Sequence, residues 1–308
     1  MLLPDRMMTG GRMMRQGKKG EVIFKVFLYL FMILIGFITL YPFLNVLAIS
    51  FNDSLDTVKG GIHLWPRVFT WNNYREVFTY PNLVIGFKIS LLRTVIGTVF
   101  GLFSTAMVAY AISCREFVAR RLVSALFILT MYVSGGLIPE FMLVRKLGLI
   151  NNFWVYILPG LISGWNVFVL RAYMDTLPES LTESAKLDGA NEITIFFRII
   201  LPLCKPILAT IALFIAVGQW NSWFDTYIYC TGNRSLTTLQ YEMMRILQDV
   251  TSTTSSSMYG MNEYNAPRTS PESIQAAITI VVTLPILLIY PFLQKYFVKG
   301  LTLGAIKS

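Results

Sequence analysis

Few residues in this 308-residue sequence are of the types that make and break bonds, and none of those few is spaced to do so. The single histidine, His63, stands apart from Cys114, Cys204 and Cys230, and no C-x-x-C pair exists, so neither a metal site nor a disulfide framework is expected. No Ser/His/Asp set is available for nucleophilic catalysis. The one Gly-Lys pair near the start, Gly17-Lys18, has Arg12 five positions earlier and Lys19 after it, so no phosphate-cradling loop is present. What remains suits recognition. Trp165 and Asn166, then Gln219, Trp220, Asn221 and Trp223, form a polar-aromatic set that Tyr132 and Asp225 extend. Flat rings can lie on the C–H faces of a sugar while amides bond its hydroxyls. The same amides could instead bond across helices, and the pattern leaves both open.

A second constellation reads as a docking element. Ser180-Leu181-Thr182-Glu183 matches a helix-opening capping box. The helix it predicts ends at Asp188, where Gly189 can take a positive φ. Asn191 and Glu192 suit the start of a second helix. Ile193, Phe196, Phe197, Ile200 and Leu201 then make one apolar stripe, with Pro202 as its end and Pro206 opening the next segment. Helix, tight turn, helix is the expectation. Such a hairpin could lie on a membrane surface with a packing role alone, or present a helix to a groove on another protein. Pattern does not choose.

The elements that must position these residues are apolar spans. Hydrophobic residues make up 55 % of the chain and charged ones 14 %, about half the charge a soluble domain carries, and the mean hydropathy is +0.58. Stretches without Asp, Glu, Lys or Arg cover 26–52, 94–114, 122–139, 147–170, 206–224 and 273–294. Each approaches the roughly 20 residues needed to cross a bilayer as a helix, which predicts an all-α polytopic membrane protein with six transmembrane helices. The first run follows six basic residues and is too long for a cleaved signal, so it reads as a retained span. With the N-terminus inside, sixteen Lys and Arg fall on inside segments and nine on outside ones, Arg93 lying at a span edge. That bias predicts cytoplasmic N- and C-termini and accounts for the net charge of +9 without a nucleic acid. The spans otherwise read as bare of ionisable groups, which speaks against an ion-driven carrier. Outside, 53–88 shows no helical period. The stretch 236–273 opens on a short stripe of Leu239, Met243, Met244 and Leu247, then passes into a Ser/Thr run, 251–257, and 262–271, both of flexible composition. Long loops of this kind are passive connectors or contact surfaces.

The words of the inside loop carry a resemblance. Glu183-Ser184-Ala185, Asp188-Gly189-Ala190 and then Leu201-Pro202 resemble the coupling loop of binding-protein-dependent ABC importer permeases, usually E-A-A, D-G-A and a later L-P, with Ser184 in place of the middle alanine. Trp71-Asn72-Asn73-Tyr74, Leu149-Ile150-Asn151-Asn152, Trp220-Asn221-Ser222-Trp223 and the ending from Lys299 to Lys307 resemble the maltose-type carbohydrate subgroup, above all the complex-oligosaccharide permeases of Gram-positive bacteria. The resemblance implies a type I importer architecture: a basic cytoplasmic segment 1–25, a six-span domain 26–299 with coupling loop 175–206 and extracytoplasmic loop 230–272, and a cytoplasmic tail 300–308. It implies a bacterial plasma-membrane transport subunit, not an enzyme, for oligosaccharides. Its partners would be a second similar permease, two copies of an ABC ATPase that bind ATP and Mg, an extracytoplasmic solute-binding protein and membrane lipid. This chain itself would hold no cofactor and no metal. Glu183, Ser184, Ala185, Asp188, Gly189, Ala190 and Pro202 would form the ATPase contact. A non-sugar polar solute, or a freestanding channel or carrier, are the alternatives.

Overall fold

The computed structural model describes residues 10–257 and 270–305, and among them the chain is helical, with one isolated antiparallel bridge between Asn52 and Phe69. In chain order the helices are α1 (Gly10–Ser50), α2 (Ser54–Thr57), α3 (Asn72–Thr79), α4 (Asn82–Ser113), α5 (Arg120–Tyr132), α6 (Leu137–Lys146) and α7 (Gly164–Met174). After them come α8 (Glu179–Leu187), α9 (Glu192–Ile195), α10 (Leu201–Leu203), α11 (Lys205–Asn221), α12 (Phe224–Tyr229), α13 (Leu239–Ser257) and α14 (Pro271–Ala305). A 3₁₀ turn covers Phe153–Tyr156 and a π turn Phe196–Ile200.

Among the described residues three helices are long and apolar enough to cross a membrane: Gly20–Ser50, Asn82–Ser113 and Pro271–Leu288. A fourth arises only if Glu192–Leu203 and Lys205–Asn221, which meet at 83°, count as one span. The runs expected at 122–139 and 147–170 are interrupted. α5 stops after 13 residues, where Val133 turns extended, Gly136 at φ +84° then precedes α6, and Pro139 lies inside α6 rather than at a span end. Such a helix is about 20 Å long, short of a ~30 Å hydrocarbon core. In the second run the 3₁₀ turn, then Pro159-Gly160, delay α7 until Gly164.

Two compact units divide the chain: Met1–Arg75 with Pro267–Ala277, and Glu76–Ala266 with Ile278–Ser308. In the first, α1 exposes side chains such as Phe27, Ile33 and Phe37 on every face, as a lipid-facing helix does. The segment after it is ordered, contrary to the absence of period. Asn52 accepts the amides of Arg67 (2.8 Å) and Val68 (3.0 Å), and buried Asn73 donates to the carbonyls of Ser50 and Asn52 while accepting from Ser54. Asp56 is held below the usual carboxylate range by the Asn52 amide and by Arg67, against the effect of its own desolvation.

In the second unit α4 is the spine. It packs on α11, α7 and α13, and small residues let them close. A Cβ on Gly86 would sit 3.0 Å from the Leu239 backbone, and one on Gly97 would sit 2.9 Å from the Gln219 side chain. The core lies where the lower part of α4 (Ala106, Ala109, Ile112) meets Leu170 of α7, Ile195 and Ile211. Further along, α13 continues through Thr251–Ser257, so the Ser/Thr run extends a helix instead of forming a flexible tract. Among its described side chains Leu239, Glu242 and Ile246 are buried, so of the expected stripe Leu239 is buried while Met243, Met244 and Leu247 are half-buried. Residues 262–269 of the second expected tract lie outside the described residues, and Pro271 opens α14.

Candidate functional site

The inside loop forms the expected helix, turn and helix, by a different start. Pro178 precedes α8 with no side-chain cap, and Ser180 lies within the first turn, so the Ser180–Glu183 box does not close. Glu179 instead meets Arg115 at 2.5 Å, its charge favourable at a helix N-terminus. The far end follows the spacing. Gly189 takes φ +79°, its amide bonds the Lys186 carbonyl at 3.0 Å, and the Ala190 amide bonds that of Ala185 at 2.9 Å. These two bonds complete a Schellman turn. Asn191 then caps α9 by accepting the Thr194 amide at 2.8 Å.

Beyond α9 the apolar stripe shifts. Ile193 and Phe197 are exposed, while Ile195, Phe196 and Ile200 are buried. The cause is the π turn, which adds a residue to the helical repeat ahead of Pro202. Proline lacks an amide and its ring collides with the carbonyl four residues back, and a wider turn accommodates it. Pro202 therefore sits inside α10, and the chain breaks at Cys204.

Of the expected contact residues, Glu183, Ser184 and Asp188 are exposed on α8 and its cap, with Leu187 beside them at 89 % exposure. Pro202 is exposed as well, whereas Ala185 is core and Ala190 is partly buried against it. The alanine signature thus packs the hairpin, and the exposed edge is what another protein could touch. Lys186 anchors the hairpin to the end of α4. Its ammonium lies 2.8 Å from Glu116 and 3.0 Å from Glu192, and Glu192 accepts from the Tyr110 hydroxyl at 2.6 Å. The two carboxylates, Glu116 foremost, push the Lys186 pKa up, so it stays charged. A cleft of about 570 Å³ opens between α8 and the 113–120 turn, lined by Arg115, Glu116, Arg120, Glu183 and Lys186 among others.

The polar-aromatic set divides. Tyr132, Trp165 and Asn221 are exposed and Trp223 half-buried, the last in a ring cluster with Phe224 and Tyr227. Asn166 is buried in α7. Trp220 is buried and donates to the Val282 carbonyl of α14 at 3.2 Å, and Gln219 faces inward as well. These two hold helices together, the second of the alternatives that sequence left open. The side chain they surround is that of Arg93, expected at a span edge. Arg93 lies within α4, 2 % exposed, and its guanidinium bonds Gln219 Oε1 at 3.0 and 3.1 Å and both oxygens of Asp225 at 2.5 and 3.1 Å. It also lies 4.4 Å over the Tyr156 ring. The spans are therefore not bare of ionisable groups. The one available signal was an arginine 11 residues into what proves to be a 32-residue helix.

A family model described as "Binding-protein-dependent transport system inner membrane component" matches residues 7–303. The chain belongs to this family. It is 35 % identical over 287 residues to the polygalacturonan/rhamnogalacturonan transport system permease protein YtcP of Bacillus subtilis, covering 93 % of this chain and 99 % of that one. To the B. subtilis protein LplC it is 38 % identical over 297 residues, covering 96 % and 98 %. To the arabinooligosaccharides permease AraQ of Halalkalibacterium halodurans it is 30 % identical, covering 89 % and 93 %. Among solved structures, a chain of a bacterial ABC transporter involved in import of the acidic polysaccharide alginate superposes with a TM-score of 0.79 at 25 % identity, covering 90 % of this chain and 98 % of that one. A chain of the alginate transporter in complex with its pentasaccharide-bound periplasmic protein shares the fold, at TM-score 0.55 and 14 % identity, covering 90 % and 94 %. The named relatives are transport subunits of ABC importers, not enzymes, and the helical fold is that of an importer permease.

Proposed function

We propose that this chain is one of two permease subunits of an ATP-driven, binding-protein-dependent oligosaccharide importer in a bacterial plasma membrane. It would have six spans and both termini cytoplasmic. Two broken segments, α5 with α6 and the 3₁₀ turn with α7, would supply the crossings that no single helix completes. ATP and Mg would bind the partner ATPases and not this chain. The relatives' names cover polygalacturonan/rhamnogalacturonan, arabinooligosaccharides and galactooligosaccharides, so the substrate class proposed is oligosaccharide, with galacturonate oligomers as the first probe. The exposed ring of Trp165, the half-buried ring of Trp223 and the amide of Asn221 would face the sugar path.

One observation supports coupling most directly. The turn at Gly189 is closed on both sides by backbone bonds while α8 leaves Glu183, Ser184 and Leu187 exposed. A rigid projecting helix with an apolar tip suits insertion into a groove of another protein. Replacing Glu183 and Gly189 together should leave membrane insertion and partner assembly intact while separating ATP hydrolysis from uptake. Unchanged uptake in that double variant would refute the docking role, and transport by the purified chain alone would favour a freestanding carrier.

A further inference from the structure

Every acceptor of Arg93 lies where α11 gives way to α12. Gln219 is in the last turn of α11, Ser222 caps it, and Asp225 opens α12. The carbonyls of a last helical turn have no partner within their own helix, and Arg93 Nη1 reaches the one on Ser222 at 3.4 Å. A cation there also complements the helix dipole. Gln219 is held from its other side, donating to the Tyr156 carbonyl at 3.2 Å. One side chain of α4 thereby gathers α11, α12 and the 153–156 turn. Gly97, one turn on from Arg93, makes the approach possible, because a Cβ there would collide with Gln219.

Stability alone does not explain such a group. Desolvating two charges costs several kcal/mol each, and apolar pairs of similar volume are often as stable or more so. Position offers a better reason. At its other end α4 is fastened to the α8–α9 hairpin through Tyr110, Glu192, Lys186 and Glu116. Tyr110 and Arg93 are 17 residues apart on one unbroken helix, about 25 Å of rigid rod. The neighbouring segments α5–α6, the 3₁₀ turn with α7, and α11–α12 are all interrupted, whereas α4 runs unbroken from the hairpin to Arg93 and can carry a displacement across the core.

We infer that Arg93 is a positioning residue that transmits movement of the α8–α9 hairpin, through α4, to the break between α11 and α12. This rests on the importer reading. The fork of two nitrogens on one carboxylate fixes orientation as well as distance, so the break turns with α4 instead of sliding along it. Asp225 and Gln219 receive that constraint, and the exposed Asn221 and half-buried Trp223 lie between them in sequence on the broken segment.

The test uses the complex purified in nanodiscs through a tag on this chain, from the cell that expresses it. ATP hydrolysis is measured with and without the cognate binding protein. An Arg93→Met/Asp225→Leu double variant removes both charges, so no buried charge is left unpaired, and Arg93→Lys keeps the charge without the fork. The double variant should assemble in wild-type yield and lose about tenfold of the stimulation by binding protein, within the usual range of a coupling free energy. Arg93→Lys should fall between the two. Wild-type stimulation in the double variant would overturn the inference, as the pair would then be a spacer. So would failure of the double variant to assemble, since the pair would then serve folding. A wild-type chain that brings down no ATPase is a third, distinct result, and it removes the importer reading and this inference together.

Discussion

Gly189→Ala isolates the turn that sets the angle of the projecting helix. At φ +79° the residue is in the left-handed region, and the space where a Cβ would go is empty, with nothing within 4 Å. The cost is therefore backbone strain alone, about 1–2 kcal/mol for an L-residue with a Cβ. Asparagine tolerates this region better, so Gly189→Asn should cost about half as much. In a cooperative local equilibrium, 1–2 kcal/mol raises the open population by about 5- to 30-fold. The bonds that report it are those from the Gly189 and Ala190 amides to the carbonyls of Lys186 and Ala185. Hydrogen exchange at these two amides should quicken by that factor in Gly189→Ala, by clearly less in Gly189→Asn, and not at all at Thr194, whose amide is held by Asn191. Equal exchange in all three proteins, or a larger effect from asparagine than from alanine, would show that the left-handed turn does not set the hairpin.

Other perturbations follow from the same geometry. Gly97→Ala should destabilise the second unit by about 1–3 kcal/mol, since its methyl would displace Gln219 from Arg93, and a lowered midpoint in thermal unfolding would record it. Asn73→Ala strips three buried hydrogen bonds and should cost about 2–3 kcal/mol in the first unit, read as a lost protease-resistant fragment. The depressed pKa of Asp56 contributes stability above its unfolded value of about 4 that is lost as pH falls through the lower folded value. Asp56→Asn should therefore flatten the acid limb of the stability profile and leave its alkaline limb in place; an unchanged acid limb would assign that titration elsewhere.

The class of this protein and the turn of its inside loop are properties of the sequence. Long uncharged runs have no stable home but a membrane, and Gly189, Asn191 and the Ala185–Ala190 spacing act within six residues of one another, so local patterning captures them. The same locality explains where pattern and structure differ. A capping box and an apolar stripe assume an unbroken α-helical repeat, which Pro178 and the π turn before Pro202 both alter. Uncharged runs at 122–139 and 147–170 record apolarity but not the Gly136 and Gly160 breaks within them. Arg93 and Asp225 are 132 residues apart, and taken singly each reads as a charge at the edge of a span. Only the packing of α4 against α11 and α12 brings them together. Tertiary structure likewise turned Gln219 and Trp220 inward and left Trp165 and Asn221 outside, because residue type fixes what a side chain can bond, while the fold fixes which partner comes within 3 Å.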